Sequence, residues 1–106
     1  MDMTYQAEDR HLTVFLSGEL DHHAARGVML SMEKCMEQTL PVRTVLDLKA
    51  LTFMDSSGIA VVLRAARRME ALGGTLAVVN IPRQAAKVLE AAGLGRRVDL
   101  MREADR

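Results

Sequence analysis

The chain has 106 residues, 49% of them apolar but only 3% aromatic, and fourteen basic residues balance fourteen acidic ones. That length fits one domain, 1–106, whose core must rest on Leu, Val, Ile, Met and Ala, and the apolar content excludes a disordered chain. Zero net charge, with Tyr5, Phe15 and Phe53 as the whole aromatic set, provides neither the basic field nor the stacking platform for nucleic acid, and nothing that draws the chain to an anionic membrane.

Residues 3–7 predict a short strand and 11–17 a second, in which Leu12, Val14 and Leu16 alternate with Thr13, Phe15 and Ser17. The polar turn Glu8-Asp9-Arg10 joins them as a hairpin. Gly18-Glu19-Leu20-Asp21 breaks the alternation, and a helix follows over about 23–38. Its stripe is Ala25, Val28, Met29, Met32, Cys35 and Met36, with Asp21 as its cap and Pro41 just beyond its end. Residues 44–48 predict a buried strand, and 49–56 a loop into a second helix over about 57–72. Ile59, Val62, Leu63, Ala66 and Met69 form that helix's inner face. Gly73-Gly74 ends it, since glycine tolerates the left-handed conformation found there. Residues 75–79 predict another strand. Pro82 suits the first turn of a third helix with the stripe Ala85, Val88, Leu89 and Ala92, closed by Gly93. A last short strand is expected over 97–101, and a polar, loose tail over 102–106.

Strands separated by helices run parallel through right-handed crossovers. The expected class is therefore α/β: a small mixed, mainly parallel sheet of four to five strands, with an N-terminal antiparallel hairpin and three packed helices.

Function in such sheets gathers at loops beyond the strand ends, which singles out Met54-Asp55-Ser56-Ser57-Gly58. Two hydroxyls and a glycine at a helix start have an ordinary explanation. A serine there caps a free backbone N–H, worth roughly 1 kcal/mol. They also suit phosphorylation, which adds about −1.5 to −2 charges. A helix N-terminus tolerates such an anion, so the domain would stay folded. Beside Asp55, the phosphate would confront any protein docked over the loop with bulk and repulsion. Breaking a buried polar contact costs roughly 2–5 kcal/mol, which weakens binding ~30-fold to a few thousand-fold.

The segment Thr52-Phe53-Met54-Asp55-Ser56-Ser57-Gly58-Ile59 resembles the signature of the STAS-domain anti-sigma-factor antagonists. Gly18-Glu19-Leu20-Asp21-His22-His23-Ala24-Ala25 is similar to the branch that controls sigma-F in sporulation. Gly73-Gly74 and Ala92-Gly93-Leu94 fall where the family has a Gly-Gly and a Gly-Leu. The resemblance covers nearly the whole chain and implies partner switching. The unphosphorylated protein binds an anti-sigma factor that is also a serine kinase, releasing the sigma factor for transcription. Phosphorylation of Ser56 ends binding, and a serine phosphatase restores it. ATP belongs to the kinase, so no cofactor is expected, and the free protein is expected to be a monomer. The implied partner surface comprises Asp21, His22, His23, Asp55, Ser56, Ser57 and Gly58. Val61 and Arg64 join it as residues projecting away from the inner face of the second helix. Arg64, Arg67 and Arg68 give that helix its own charge pattern, and family members often add a C-terminal helix.

An alternative within the family is an accessory STAS subunit of a membrane lipid-transport ABC complex, against which the Asp55-Ser56-Ser57-Gly58 loop argues. A hydrolase using Ser56 would need a triad, and neither Gly-x-Ser-x-Gly nor a lysine-bearing phosphate loop is present, so no catalysis is expected. His22-His23 lacks further ligands nearby for a metal. Asp47 is a strand-end carboxylate suited to a cap or loop hydrogen bond as much as to a site. Cys35 falls on an apolar stripe, as a core thiol does. A single cysteine excludes an intrachain disulfide and fits a reducing cytosol. No signal-peptide pattern opens the chain and no run nears ~20 apolar residues, so a cytoplasmic protein is expected.

Overall fold

The structure, a computed structural model, describes residues 1–103. It opens with strands β1 (Asp2–Glu8) and β2 (His11–Leu20), paired antiparallel from Asp2↔Ser17 to Glu8↔His11. Only Asp9 and Arg10 join them, at φ of 51° and 62°. Two successive left-handed residues make the tight turn whose twist matches that of a hairpin. β2 outruns the alternating segment. Irregular register between Phe15 and Ser17 and between Gly18 and Glu19 lets it continue to Leu20.

Helix α1 (His22–Thr39) follows. Its inner face carries Ala25, Val28, Met32, Cys35 and Met36, and Met29 is half-buried at its edge. Leu40 closes it in a left-handed conformation, its N–H donating to Met36 O at 2.8 Å, and Pro41 prevents continuation. Strand β3 (Arg43–Met54) is far longer than the expected 44–48. The region 49–54 pairs with the extension of β2, from Ser17↔Ala50 to Leu20↔Met54. Its backbone groups find partners only because β2 lies alongside, which periodicity alone does not reveal.

Helix α2 (Ser57–Ala71) buries Gly58, Val61, Val62, Ala65, Ala66 and Met69, while Ile59 and Leu63 are half-buried. The inner face is thus turned from the expected one. Small residues at 58, 65 and 66 bring the helix close to its neighbours, and Ile59 and Leu63 move toward the rim. Gly73, at φ +75°, turns the chain into strand β4 (Thr75–Ile81). Helix α3 (Arg83–Ala91), a 3₁₀ turn (Leu94–Arg96) and strand β5 (Asp99–Arg102) complete the fold. Pro82 is the cap of α3, and Ala92 lies exposed beyond its last turn. Arg102, expected in the tail, ends β5 and pairs with Glu90. The rest of the expected tail, 104–106, lies outside the described residues.

The sheet order is β1-β2-β3-β4-β5, with every pair after the hairpin parallel. Three right-handed crossovers advancing in one direction put α1, α2 and α3 on one face of the sheet. Leu12, Val14, Leu16, Leu46, Leu48, Leu76 and Val78 meet the helices in one core cluster. Among the described residues no helix is long and apolar enough to cross a membrane.

Candidate functional site

β2 and β3 end side by side at Leu20 and Met54, and each is followed by an aspartate. The N-termini of α1 and α2 therefore converge. Asp21 caps α1: its Oδ1 accepts from His23 N and Ala24 N, both at 3.0 Å. Asp55 serves both helices. Its Oδ1 accepts from Ser57 N at 2.8 Å and its Oδ2 from His22 N at 3.1 Å, while its own N–H donates to Leu20 O at 3.2 Å. One carboxylate thus pins two helix starts and a strand end. The Ser57 backbone N–H holds the Asp55 carboxyl below the usual carboxylate range, helped by the Ser57 hydroxyl, the His22 N–H and the His22 charge, against a smaller effect of burial.

This arrangement changes the meaning of Ser56. It occupies the position before α2, yet its φ and ψ are −61° and −17° and its side chain makes no capping hydrogen bond. A capping serine normally has extended backbone. Capping passes to Asp55, and the exposed Ser56 hydroxyl is left without that duty. The ordinary explanation for a serine here is therefore not realised. Ser57 differs: it is half-buried, with its N–H and hydroxyl turned to Asp55.

Gly58 is buried over the side chain of Met54, which is itself fully buried. His22 and His23 open α1 rather than lying in a loop, because Asp21 and Asp55 satisfy the first N–H groups of that helix. Both are exposed, with ring centroids 3.9 Å apart. No group of three or more His, Cys, Asp or Glu that could hold a metal occurs among the described residues.

Val61 requires correction. It is 1% exposed and belongs to the core, since the inner face of α2 is turned to include it, so it cannot touch a partner. Arg64 is exposed, on a groove between α1 and α2 that Met29, Leu63 and Arg67 also line, and it is ion-paired with Glu33. Asp47 accepts from Lys49 N at 2.9 Å and Asn80 Nδ2 at 3.1 Å, a local structural role away from the corner. Cys35 is buried, and burial pushes its thiol pKa up.

Two residues outside the expected partner surface lie at the site. Phe53 is 41% exposed just before the corner, a large apolar side chain available for contact. Gln84, in the first turn of α3, bonds both backbone groups of Met54, at 2.8 and 2.7 Å. The first falls within the segment that resembles the family signature, and nothing local to residue 84 hints at the second.

The profile of the STAS domain matches residues 2–104. An anti-sigma F factor antagonist from Paenibacillus polymyxa is 38% identical over 96 residues, covering 87% of this chain and 82% of the relative. Among solved structures, the anti-sigma factor antagonist SpoIIAA in its unphosphorylated form is similar with a TM-score of 0.81 at 29% identity, over 99% of this chain and 90% of that one. The Bacillus cell fate determinant SpoIIAA in its phosphorylated form is similar with a TM-score of 0.73, again at 29% identity, over 99% and 93% of the two chains.

Proposed function

The chain belongs to the STAS domain family, and from that premise we propose that it is an anti-sigma factor antagonist whose binding is switched by phosphorylation of Ser56. The carrying observation is the Ser56 hydroxyl itself, exposed at a helix start while the neighbouring Asp55 does the capping. The named relatives favour this reading over an accessory role in lipid transport.

The unmodified protein, a monomer comprising one STAS domain over 1–106, docks on an anti-sigma factor kinase and releases its sigma factor. Asp21, His22, His23, Asp55, Ser56 and Ser57 form the contacting corner, with Phe53 beside it, Gly58 buried beneath it and Arg64 further along α2. The protein is substrate and ligand of the kinase rather than a catalyst. The Ser56 oxygen attacks the γ-phosphorus of kinase-bound ATP. The new Oγ–P bond forms as the bond to the β–γ bridging oxygen breaks, ADP leaves, and the hydroxyl proton goes to a base on the kinase side. The resulting phosphate sits at the N-terminus of the 15-residue helix α2, whose dipole favours it. The adjacent Asp55 adds a second negative charge at neutral pH, where an aspartate is ionised. Two anionic groups then face the docked kinase, and desolvating them weakens the complex. A serine phosphatase resets the switch. The sporulation sigma-F system is the assignment we favour, because the relative from Paenibacillus polymyxa bears that name.

The test is to incubate the protein with its anti-sigma factor and ATP and to weigh it by mass spectrometry. One phosphate is expected on the wild type and on Ser57→Ala, and none on Ser56→Ala. A phosphate that survives Ser56→Ala, or none on the wild type, refutes the reading.

A further inference from the structure

Met54 ends β3 with a neighbouring strand on one side only. It pairs with Leu20 of β2, but the β3–β4 ladder stops at Asp47↔Val79, seven residues earlier. Among the described residues, no strand pairs with its outward N–H and C=O. The Gln84 side chain supplies a partner: Oε1 accepts from Met54 N at 2.8 Å, and Nε2 donates to Met54 O at 2.7 Å. A primary amide carries the same donor–acceptor pair as a peptide group. Gln84 therefore stands in for the missing strand, from an element 30 residues away.

Ser56 lies two residues beyond. On the β2 side the corner is held by the Asp55 N–H on Leu20 O and by the Asp55 carboxylate on α1 and α2. On the α3 side, among the described residues, the hydrogen bonds to Met54 come from Gln84. We propose that Gln84 is a positioning residue for phosphoryl transfer to Ser56, an inference that rests on the function proposed above. By fixing the Met54 peptide groups it sets the direction in which the chain leaves the sheet. The Ser56 oxygen is thereby aimed at the γ-phosphorus that it attacks. Gln84 touches none of the reacting atoms. Its effect is on approach geometry, where a misplacement of about 1 Å can cost on the order of 100-fold in rate.

The experiment measures initial rates of Ser56 phosphorylation by the anti-sigma factor kinase and ATP, across a range of antagonist concentrations. In Gln84→Ala, kcat is expected to fall roughly 10- to 100-fold with KM changing less than about 3-fold. Gln84→Glu keeps the acceptor for Met54 N–H but sets a carboxylate against the Met54 carbonyl. Protonation converts it to an acid that both accepts and donates, so its rate relative to wild type at the same pH should recover as pH falls toward 5. A general loss of stability would instead also lower the protection of the core amides. Amide exchange at Asp55 and Ser57 should quicken in both variants near pH 7 while the core amides of β2 and β3 stay protected. An unchanged kcat, a loss confined to KM, or no recovery of Gln84→Glu would overturn the positioning role. A wild type that gains no phosphate at all overturns the functional reading on which it stands. A wild type that is phosphorylated normally beside unaffected variants overturns the Gln84 inference alone.

Discussion

Replacing Gly58 by alanine tests the packing beneath the corner. A methyl group there would stand 2.6 Å from the Met54 sulfur, 2.9 Å from its Cε, and closer still to its Cγ. Carbon atoms pack at about 3.5–4.0 Å, so Met54 must retreat by about 1 Å. A methionine tip is adaptable, but Cγ moves only with χ1 or with the main chain. The Met54 main chain is held by Gln84 and by its pairing with Leu20, and the side chain is fully buried. Overpacking of this kind costs about 1–3 kcal/mol. Alanine's advantage over glycine in a helix returns at most about 1 kcal/mol, and less in a first turn. A net loss of about 1–2 kcal/mol is expected, with Tm falling by on the order of 4–8 °C per kcal/mol. Urea unfolding followed by far-ultraviolet circular dichroism is the suitable assay, because the chain has no tryptophan. Met54→Ala alone should cost about 2–5 kcal/mol by leaving a cavity. If the clash is the cause, the double variant should be more stable than the sum of the single losses by about 1–2 kcal/mol. Gly58→Ala as stable as the wild type, or a strictly additive cycle, would refute the reasoning.

Asp21→Ala removes the acceptor for His23 N and Ala24 N and should cost about 1 kcal/mol, read as a lower urea midpoint; an unchanged midpoint would show that the cap contributes nothing. The Asp55 carboxyl is lowered in the folded state, so its stabilising contribution is present above the unfolded carboxylate pKa and is lost as pH falls through the lower, folded one. Asp55→Asn should therefore lose stability relative to wild type at pH 7, with the difference shrinking on acidification below the ordinary carboxylate range; a difference that grows in acid reverses the assigned sign. Cys35 is buried with its thiol pKa raised, so it should resist a thiol reagent at neutral pH in the native state and react fully once unfolded in urea. Fast reaction of the native protein would show that α1 opens.

Much of this protein is legible from local pattern. The alternation in β2, the stripe of α1 and the glycines after α2 and α3 come from contacts between residues near in sequence. The fold order follows, because strands joined through helices have one favoured hand. The Met54-Asp55-Ser56-Ser57-Gly58 segment likewise marks the junction at which β3 passes into α2. Tertiary structure decided the rest. Whether 49–54 is loop or strand depended on β2 lying beside it. Val61 moved from surface to core because the close packing of Gly58, Ala65 and Ala66 sets the rotation of α2. The tie from Asp55 to α1 turned on an N–H at His22, 33 residues away, and the anchoring of Met54 on an amide 30 residues away. Hydrogen bonds of that span have no period and no local signature, so they emerge only when packing brings their two ends together.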